Sequence, residues 1–305
     1  MTRASDSTPA GTPAVSVVIA TYNRARFLPE TVESVLKQSL RDFELIVVDD
    51  GSTDGTSEVL KTYGDRLRLF YQENRGPSAA RNLGVRHARG RWIAIQDSDD
   101  VCLPDQLEVL LDYAEKNPHL GMVFANGAYL GGPEHKRDTI IPREKSSRLA
   151  RDGVRLVDLF EKSIVRLQAA LISREAFLAI GGLDEELRIC MDLDLSFRLF
   201  MRYPVAYLDR VVFLYRKHGG NIGQDQERRL VENIRIIETL VREFPQAKGA
   251  LGSGRIARRT AYRYYRLAKG RWKNGDRPGA AEAIRKAASL CPFSLKYRLY
   301  QLRWA

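Results

Sequence analysis

Short, almost wholly apolar runs rich in β-branched residues recur along the first 130 residues, separated by amphipathic stretches. VSVVIA (15–20), ELIVV (44–48), WIAIQ (92–96) and GMVFANGAYL (121–130) are the clearest. Runs of this kind are strands buried on both faces, as in parallel sheets covered by helices. RLRLFYQ (66–72) alternates and reads as the third strand in chain order. Between the strands, Phe27, Leu28, Val32, Val35 and Leu36 recur at helical spacing, and Asp54 to Tyr63 forms a second helical stretch with Val59 and Leu60 inward. Pro77 suits the first turn of a helix running to Ala88, and residues 104–117 are amphipathic. The repetition predicts an α/β fold with a mostly parallel, Rossmann-like sheet flanked by helices.

Two of the runs end in acids. ELIVVDDGSTDGT carries Asp49, Asp50 and Asp54, and RWIAIQDSDD carries Asp97, Asp99 and Asp100. Ligands of open α/β sheets bind at the carboxyl ends of strands. Carboxylates placed there suit a cation and a phosphate-bearing ligand. The same residue types also make turns and helix caps, which is the reading for Asp54-Gly55. In DSDD three like charges share four residues, a cost that a cation or solvent must offset.

The remaining composition narrows the class. With 305 residues and 44% hydrophobic content, the chain can bury a sizeable core. Its three cysteines are far apart and show no CxxC pair, which fits a reducing compartment and argues against a disulfide scaffold or zinc knuckle. No stretch approaches the ~18 apolar residues of a membrane span. The first 14 residues lack an apolar signal core and read as a disordered tail, so a cytoplasmic protein is expected. Net charge is +11, unevenly spread: residues 248–305 hold 15 Lys+Arg against 2 acids (+13), and the rest holds 34 against 36 (−2).

Beyond residue 130 the pattern loosens. Residues 131–153 read as a polar, mobile loop; VRLVDLFEK and SREAFLAIGG read as helices, and MDLDLSFRLFMR as a helix with acids in its first turn. VAYLDRVVFLYRKHGGN reads as two short strands and a turn, and everything after Gln224 as helix. Gly252-Ser253-Gly254-Arg255-Ile256-Ala257 fits a dinucleotide fingerprint, but no strand precedes it, so it reads as a hinge between helices. Neither a GxxxxGK[ST] loop nor a GxSxG elbow is present.

Residues 15 to about 223 resemble a family 2 glycosyltransferase of the GT-A fold. The resemblance rests on seven blocks in the family's order: VSVVIATYNRARFLPETVESVLKQS, DFELIVVDDGSTDGT, NRGPSAARNLGVRHARG, WIAIQDSDD, ISREAFLAIGGLDEEL, MDLDLSFRL and YRKHGGN. It implies a glycosyltransferase domain over 15–224, with a nucleotide-binding half (15–130) and an acceptor half (131–224), followed by a basic helical extension over 225–305. It further implies inverting transfer of a sugar from a UDP-, GDP- or dTDP-sugar to a hydroxyl of a glycan or lipid-linked acceptor, with Mg²⁺ or Mn²⁺ as cofactor. No nucleic-acid partner is expected.

The resemblance also implies roles. Asp97-Ser98-Asp99 matches the DxD motif, with Asp99 the main metal ligand and Asp97 or Asp100 completing the metal shell or binding ribose. Asp50 matches the position that recognises the nucleobase, and Ala20, Thr21 and Tyr22 the loop that cradles the nucleotide. Arg81 either reaches the diphosphate or is a solvated helix charge. His218 matches a residue near metal and phosphates. Asp192 aligns with the catalytic base, with Asp194 as a second candidate. The Glu that usually precedes that base is Met191 here. This departure leaves a second class open, a catalytically silent sugar-nucleotide-binding or scaffold protein.

The C-terminal segment resembles a single tetratricopeptide-like hairpin plus one more helix. One repeat cannot bury its own face, so it must pack on the domain, a partner or a bilayer. Its mixture of Arg, Tyr and Trp suits an anionic membrane surface, which would place the enzyme at the cytoplasmic face.

Overall fold

The computed structural model describes residues 11–130, 138–220 and 225–304. Most of the expected N-terminal tail, residues 131–137 of the expected loop and Asn221 of the HGGN turn lie outside these.

The first half runs β1 (Val15–Thr21), α1 (Leu28–Leu36), β2 (Phe43–Asp49), α2 (Thr56–Lys61), β3 (Arg68–Tyr71), α3 (Pro77–His87), β4 (Trp92–Asp97), β5 (Val101–Cys102), α4 (Gln106–Lys116) and β6 (Met122–Tyr129). The second half runs α5 (Arg143–Asp152), α6 (Leu156–Glu161), β7 (Ala170–Ser173), α7 (Arg174–Ala179), α8 (Met191–Phe200) and β8 (Val205–Tyr215). Five helices follow: α9 (Gln226–Glu243), α10 (Pro245–Leu251), α11 (Ser253–Lys273), α12 (Arg277–Leu290) and α13 (Leu295–Trp304). One eight-stranded sheet has the order β3-β2-β1-β4-β7-β6-β8-β5. The β3-β2-β1-β4 segment is parallel throughout, as the buried apolar runs predict. Its register sets Thr21 beside Asp49, and Ala20 beside Asp97, at one edge. α3 lies directly on β1: a Cβ on Gly84 would come within 2.4 Å of Val18 Cγ1.

Two expectations change. The segment read as a loop contains α5, whose inward face carries only Ser146 and Leu149, too little for an apolar period to show. Polar contacts hold it instead: Ser146 Oγ bonds Tyr207 OH and Asp209, and Arg148 pairs with Asp158. The two short strands expected over 205–215 are one strand, β8. Its register against β6 shifts between Phe124↔Tyr207 and Asn126↔Val211, so the polar Asp209 and Arg210 sit in a bulge rather than in a turn. In the second half of the sheet, β7 lies between β4 and β6, antiparallel to both.

Apolar clusters fill both faces of the sheet. Ile46, Ile95, Phe124 and Phe177 belong to one, and Ile19, Val32, Leu110 and Phe213 to the other. Ile236, Ile237 and Leu240 of α9, with Phe244, Ala247 and Leu251 after it, join the first. A third cluster lies within the C-terminal helices and is seated on α9 through Ile234.

Candidate active site

The carboxyl ends of β1 and β4, the start of α3, the α8 N-terminus and the end of β8 enclose a cavity of about 990 Å³. Ala20, Thr21, Tyr22, Asp50, Arg81, Asp97, Ser98, Asp99 and Asp192 all line it. The turn after β4 brings ligand atoms of Asp97, Asp99 and Asp100 within 4.8 Å of one another.

Each acid of this trio is held differently. Asp97 accepts from Arg81 and from Gln168 Nε2. Asp100 is fully buried; its Oδ1 accepts from Arg216 N at 2.8 Å and its Oδ2 from Gln168 Nε2 at 3.1 Å. Asp99 Oδ2 faces His218 Nε2 at 2.8 Å and Arg24 Nε at 3.4 Å, whereas its Oδ1 accepts no hydrogen bond among the described residues. Burial raises the Asp97 carboxyl to about 6; Arg81 opposes the rise, and the charges of Asp99 and Asp192 add to it. Burial, with Asp97 beside it, pushes Asp100 well above the carboxylate range. This crowding is what a divalent cation relieves, and the donor set is the hard oxygen one such cations take. The residues fit the ion, and the open Asp99 oxygen is the natural first ligand.

His218 stacks on Phe27 with ring centroids 4.6 Å apart, and Gly220 N–H points at its Nδ1 at 3.1 Å. Nε2 is therefore the nitrogen that donates to Asp99. The ring stands beside the trio as a support for Asp99 and is not within the cluster of ligating atoms.

Arg81 is no solvated helix charge. It is 8% exposed, and its Nε and Nη1 have no hydrogen-bond partner among the described residues. Its charge acts on both Asp97 and Asp192. Thr21 Oγ1 is likewise buried without a partner. Asp50, just after β2, holds the loop between β3 and α3. Its Oδ1 accepts from Gln72 Nε2 at 2.7 Å and Arg75 N at 2.9 Å, and its Oδ2 from Gly76 N at 2.8 Å. Gly76 sits at φ +93° with the Arg188 guanidinium where a Cβ would lie, so no side chain fits there.

The two acids of α8 separate. Asp192 lines the cavity; burial raises its carboxyl, while Arg81 and Arg166 hold it down. Leu167 N–H approaches its Oδ2 at 3.5 Å. Asp194 does not line the cavity, and its Oδ2 is gripped by Arg198, with Nε at 2.9 Å.

Several positioning residues have no signature in the sequence. Gln168 separates Asp97 from Asp100, and Arg24 braces Asp99. Glu232, on α9, accepts from the N–H groups of Arg188, Ile189 and Cys190 at 2.9, 2.9 and 2.8 Å. These are the residues leading into α8, so Glu232 fixes the approach to Asp192. Glu232→Ala is expected to cost about 2–3 kcal/mol, because one buried and two part-buried donors lose their acceptor. Urea unfolding measures it, and an unchanged midpoint would contradict this role.

Residues 16–181 match the sequence profile of the Glycosyl transferase family 2, and the chain belongs to that family. It is 30% identical over 203 residues to an uncharacterized glycosyltransferase of Rickettsia typhi, covering 66% of this chain and 63% of that protein. A 43% match to an uncharacterized glycosyltransferase of Rickettsia felis covers 117 residues, 38% of this chain and 19% of the relative. The chain thus spans less than two thirds of either Rickettsia protein. Among solved structures, Staphylococcus aureus TarS superposes with a TM-score of 0.69 at 19% identity, covering 92% of this chain and 49% of TarS. The mannosyltransferase PcManGT of Pyrobaculum calidifontis, solved in complex with GDP-Man and Mn²⁺, gives 0.62 at 22% identity, covering 97% and 85%. At these identities the likeness is one of fold: a GT-A-like mixed sheet flanked by helices.

Proposed function

We propose that the chain transfers a sugar, with inversion, from a nucleotide-sugar to a hydroxyl of a glycan or lipid-linked acceptor, in surface polysaccharide, lipopolysaccharide or glycolipid synthesis. The observation that carries the reading is the convergence of Asp97, Asp99, Arg81 and Asp192 on one cavity. Related folds solved with UDP-GlcNAc and with GDP-Man and Mn²⁺ support the donor class.

Each residue then has a task. Thr21 and the loop held by Asp50 cradle the nucleotide, with Ala20, Tyr22 and Ser98 along the wall. The two unpartnered nitrogens of Arg81 take up diphosphate oxygens as charge grows on the leaving group. Asp99, with Asp97 and Asp100, would hold Mg²⁺ or Mn²⁺. When bound, that cation supplies Lewis-acid stabilisation of the departing diphosphate. His218 and Arg24 keep the Asp99 carboxylate oriented. Asp192, on the cavity wall formed by the start of α8, accepts the proton of the acceptor hydroxyl as that oxygen attacks the anomeric carbon. Asp194 serves structure through Arg198.

A thermal-shift panel of UDP-, GDP- and dTDP-sugars, with and without Mn²⁺, tests the reading. One nucleotide series is expected to raise the melting temperature, and more so with Mn²⁺. A flat response across the panel would sink it.

A further inference from the structure

The aromatic residues that the sequence suggests for a membrane contact are mostly spent inside the C-terminal helices. Trp272 stacks on Trp304 with centroids 4.9 Å apart, and Tyr265 meets Tyr297 and Tyr300 at 5.5 and 5.3 Å. These rings knit α11 to α13. The surface left outside is different and more telling. Phe293, Leu295, Leu299 and Leu302 are 96%, 77%, 66% and 80% exposed.

Leu295, Leu299 and Leu302 follow each other by four and three residues, so they form one stripe along α13. Tyr297, Tyr300 and Trp304 form the opposite, packed face. Arg298, Arg303 and Lys296 flank the leucines on either side, and α13 contains no acid. Exposed Arg285 and Lys286 of α12 add to the same sign, within a segment whose balance is +13. With the aromatic face of α13 packed against α11, the surface it leaves outside is a short apolar stripe bordered by bases, which suits a bilayer interface. Charge selects the occupant. A second copy would set this basic surface against itself, whereas an anionic leaflet complements it.

We propose that α13, with Phe293 and the basic edge of α12, docks this protein on an anionic lipid surface. The apolar stripe enters the headgroup boundary while Lys and Arg meet lipid phosphates. No helix of the described residues is long and apolar enough to cross a membrane, so the contact is peripheral. It stands apart from the chemistry assigned above, because vesicle binding requires no turnover.

The test is co-sedimentation of the full chain with phosphatidylglycerol vesicles and with phosphatidylcholine vesicles, at low and high salt. Binding to anionic vesicles at low salt, weakened by salt, is expected. The double variant Leu299→Glu/Leu302→Glu should bind at least about tenfold more weakly. Leu299→Ser/Leu302→Ser, which introduces no charge, should also weaken binding, and an unchanged melting temperature certifies that both variants are folded. Indifference of the full chain to anionic vesicles, or binding untouched by both folded variants, overturns the proposal. A concentration-dependent dimer that the same variants abolish, seen by light scattering without lipid, also overturns it and assigns the stripe to a second copy.

Discussion

Asp192→Asn is expected to lower sugar transfer by about 10²–10⁴-fold while leaving donor affinity unchanged. The swap preserves shape and removes the proton acceptor. Asp192 faces the cavity, and its carboxyl titrates above the usual carboxylate range because it is buried. The sign of the pH dependence follows. A raised carboxyl protonates at higher pH than usual, so transfer should fall as pH drops through that raised value; Asn should remove the Asp192 contribution and leave the part of the acid limb that belongs to Asp97 and Asp100. Single-turnover transfer with bound donor, followed over pH, checks both statements. Asp194→Asn is the contrasting variant. It loosens the Arg198 pair and should show in stability ahead of rate. Full transfer by Asp192→Asn with loss in Asp194→Asn would move the base two residues along α8.

Asp99→Ala should reduce nucleotide affinity in Mn²⁺ at least about tenfold, to the level the native protein shows in EDTA. Asp97 and Asp100 already accept from Arg81, Gln168 and Arg216. Asp99 alone offers an oxygen that accepts no hydrogen bond among the described residues, so its loss should matter most for a cation. Calorimetry of UDP and GDP with Mn²⁺ or EDTA decides. Equal affinities in all four combinations of protein and medium would refute a metal role for this trio.

The first half of the sheet was legible because its signals are local. The runs ending at Thr21, Asp49 and Asp97 are continuous and apolar, and a parallel sheet aligns their acidic ends whatever the loops do. The motif put Asp192 ahead of Asp194, but that Asp194 is tied to Arg198 was not legible. Two acids two residues apart look alike until Arg198, one turn on, claims the second. Gln168 and Glu232 left no trace, since a single buried Gln or Glu has no period and reaches its partners across 71 and 42 residues. α5 escaped for a related reason: hydroxyl and carboxylate contacts of Ser146 replace the apolar stripe on which periodicity depends.

The reach of α9 bears on how this enzyme can be divided or grafted. The family match ends at residue 181, yet Asp192 and the carboxylate that braces its loop both lie beyond it. A transplant that stops at residue 224 would strip Ile236, Ile237, Leu240, Phe244, Ala247 and Leu251 from the sheet's core and leave the entry to α8 without its acceptor. The seam in the protein lies at Gly252, where φ is +78° and α10 hands over to α11. A cut there divides α10 from α11, yet α11 remains tied to the body through Ile234, Leu230 and Ile256 and through Arg259 on Glu161 and Arg263 on Asn233. A division at that glycine would expose Ile234 and take away the Arg263 contact of Asn233, a residue that lines the candidate cavity.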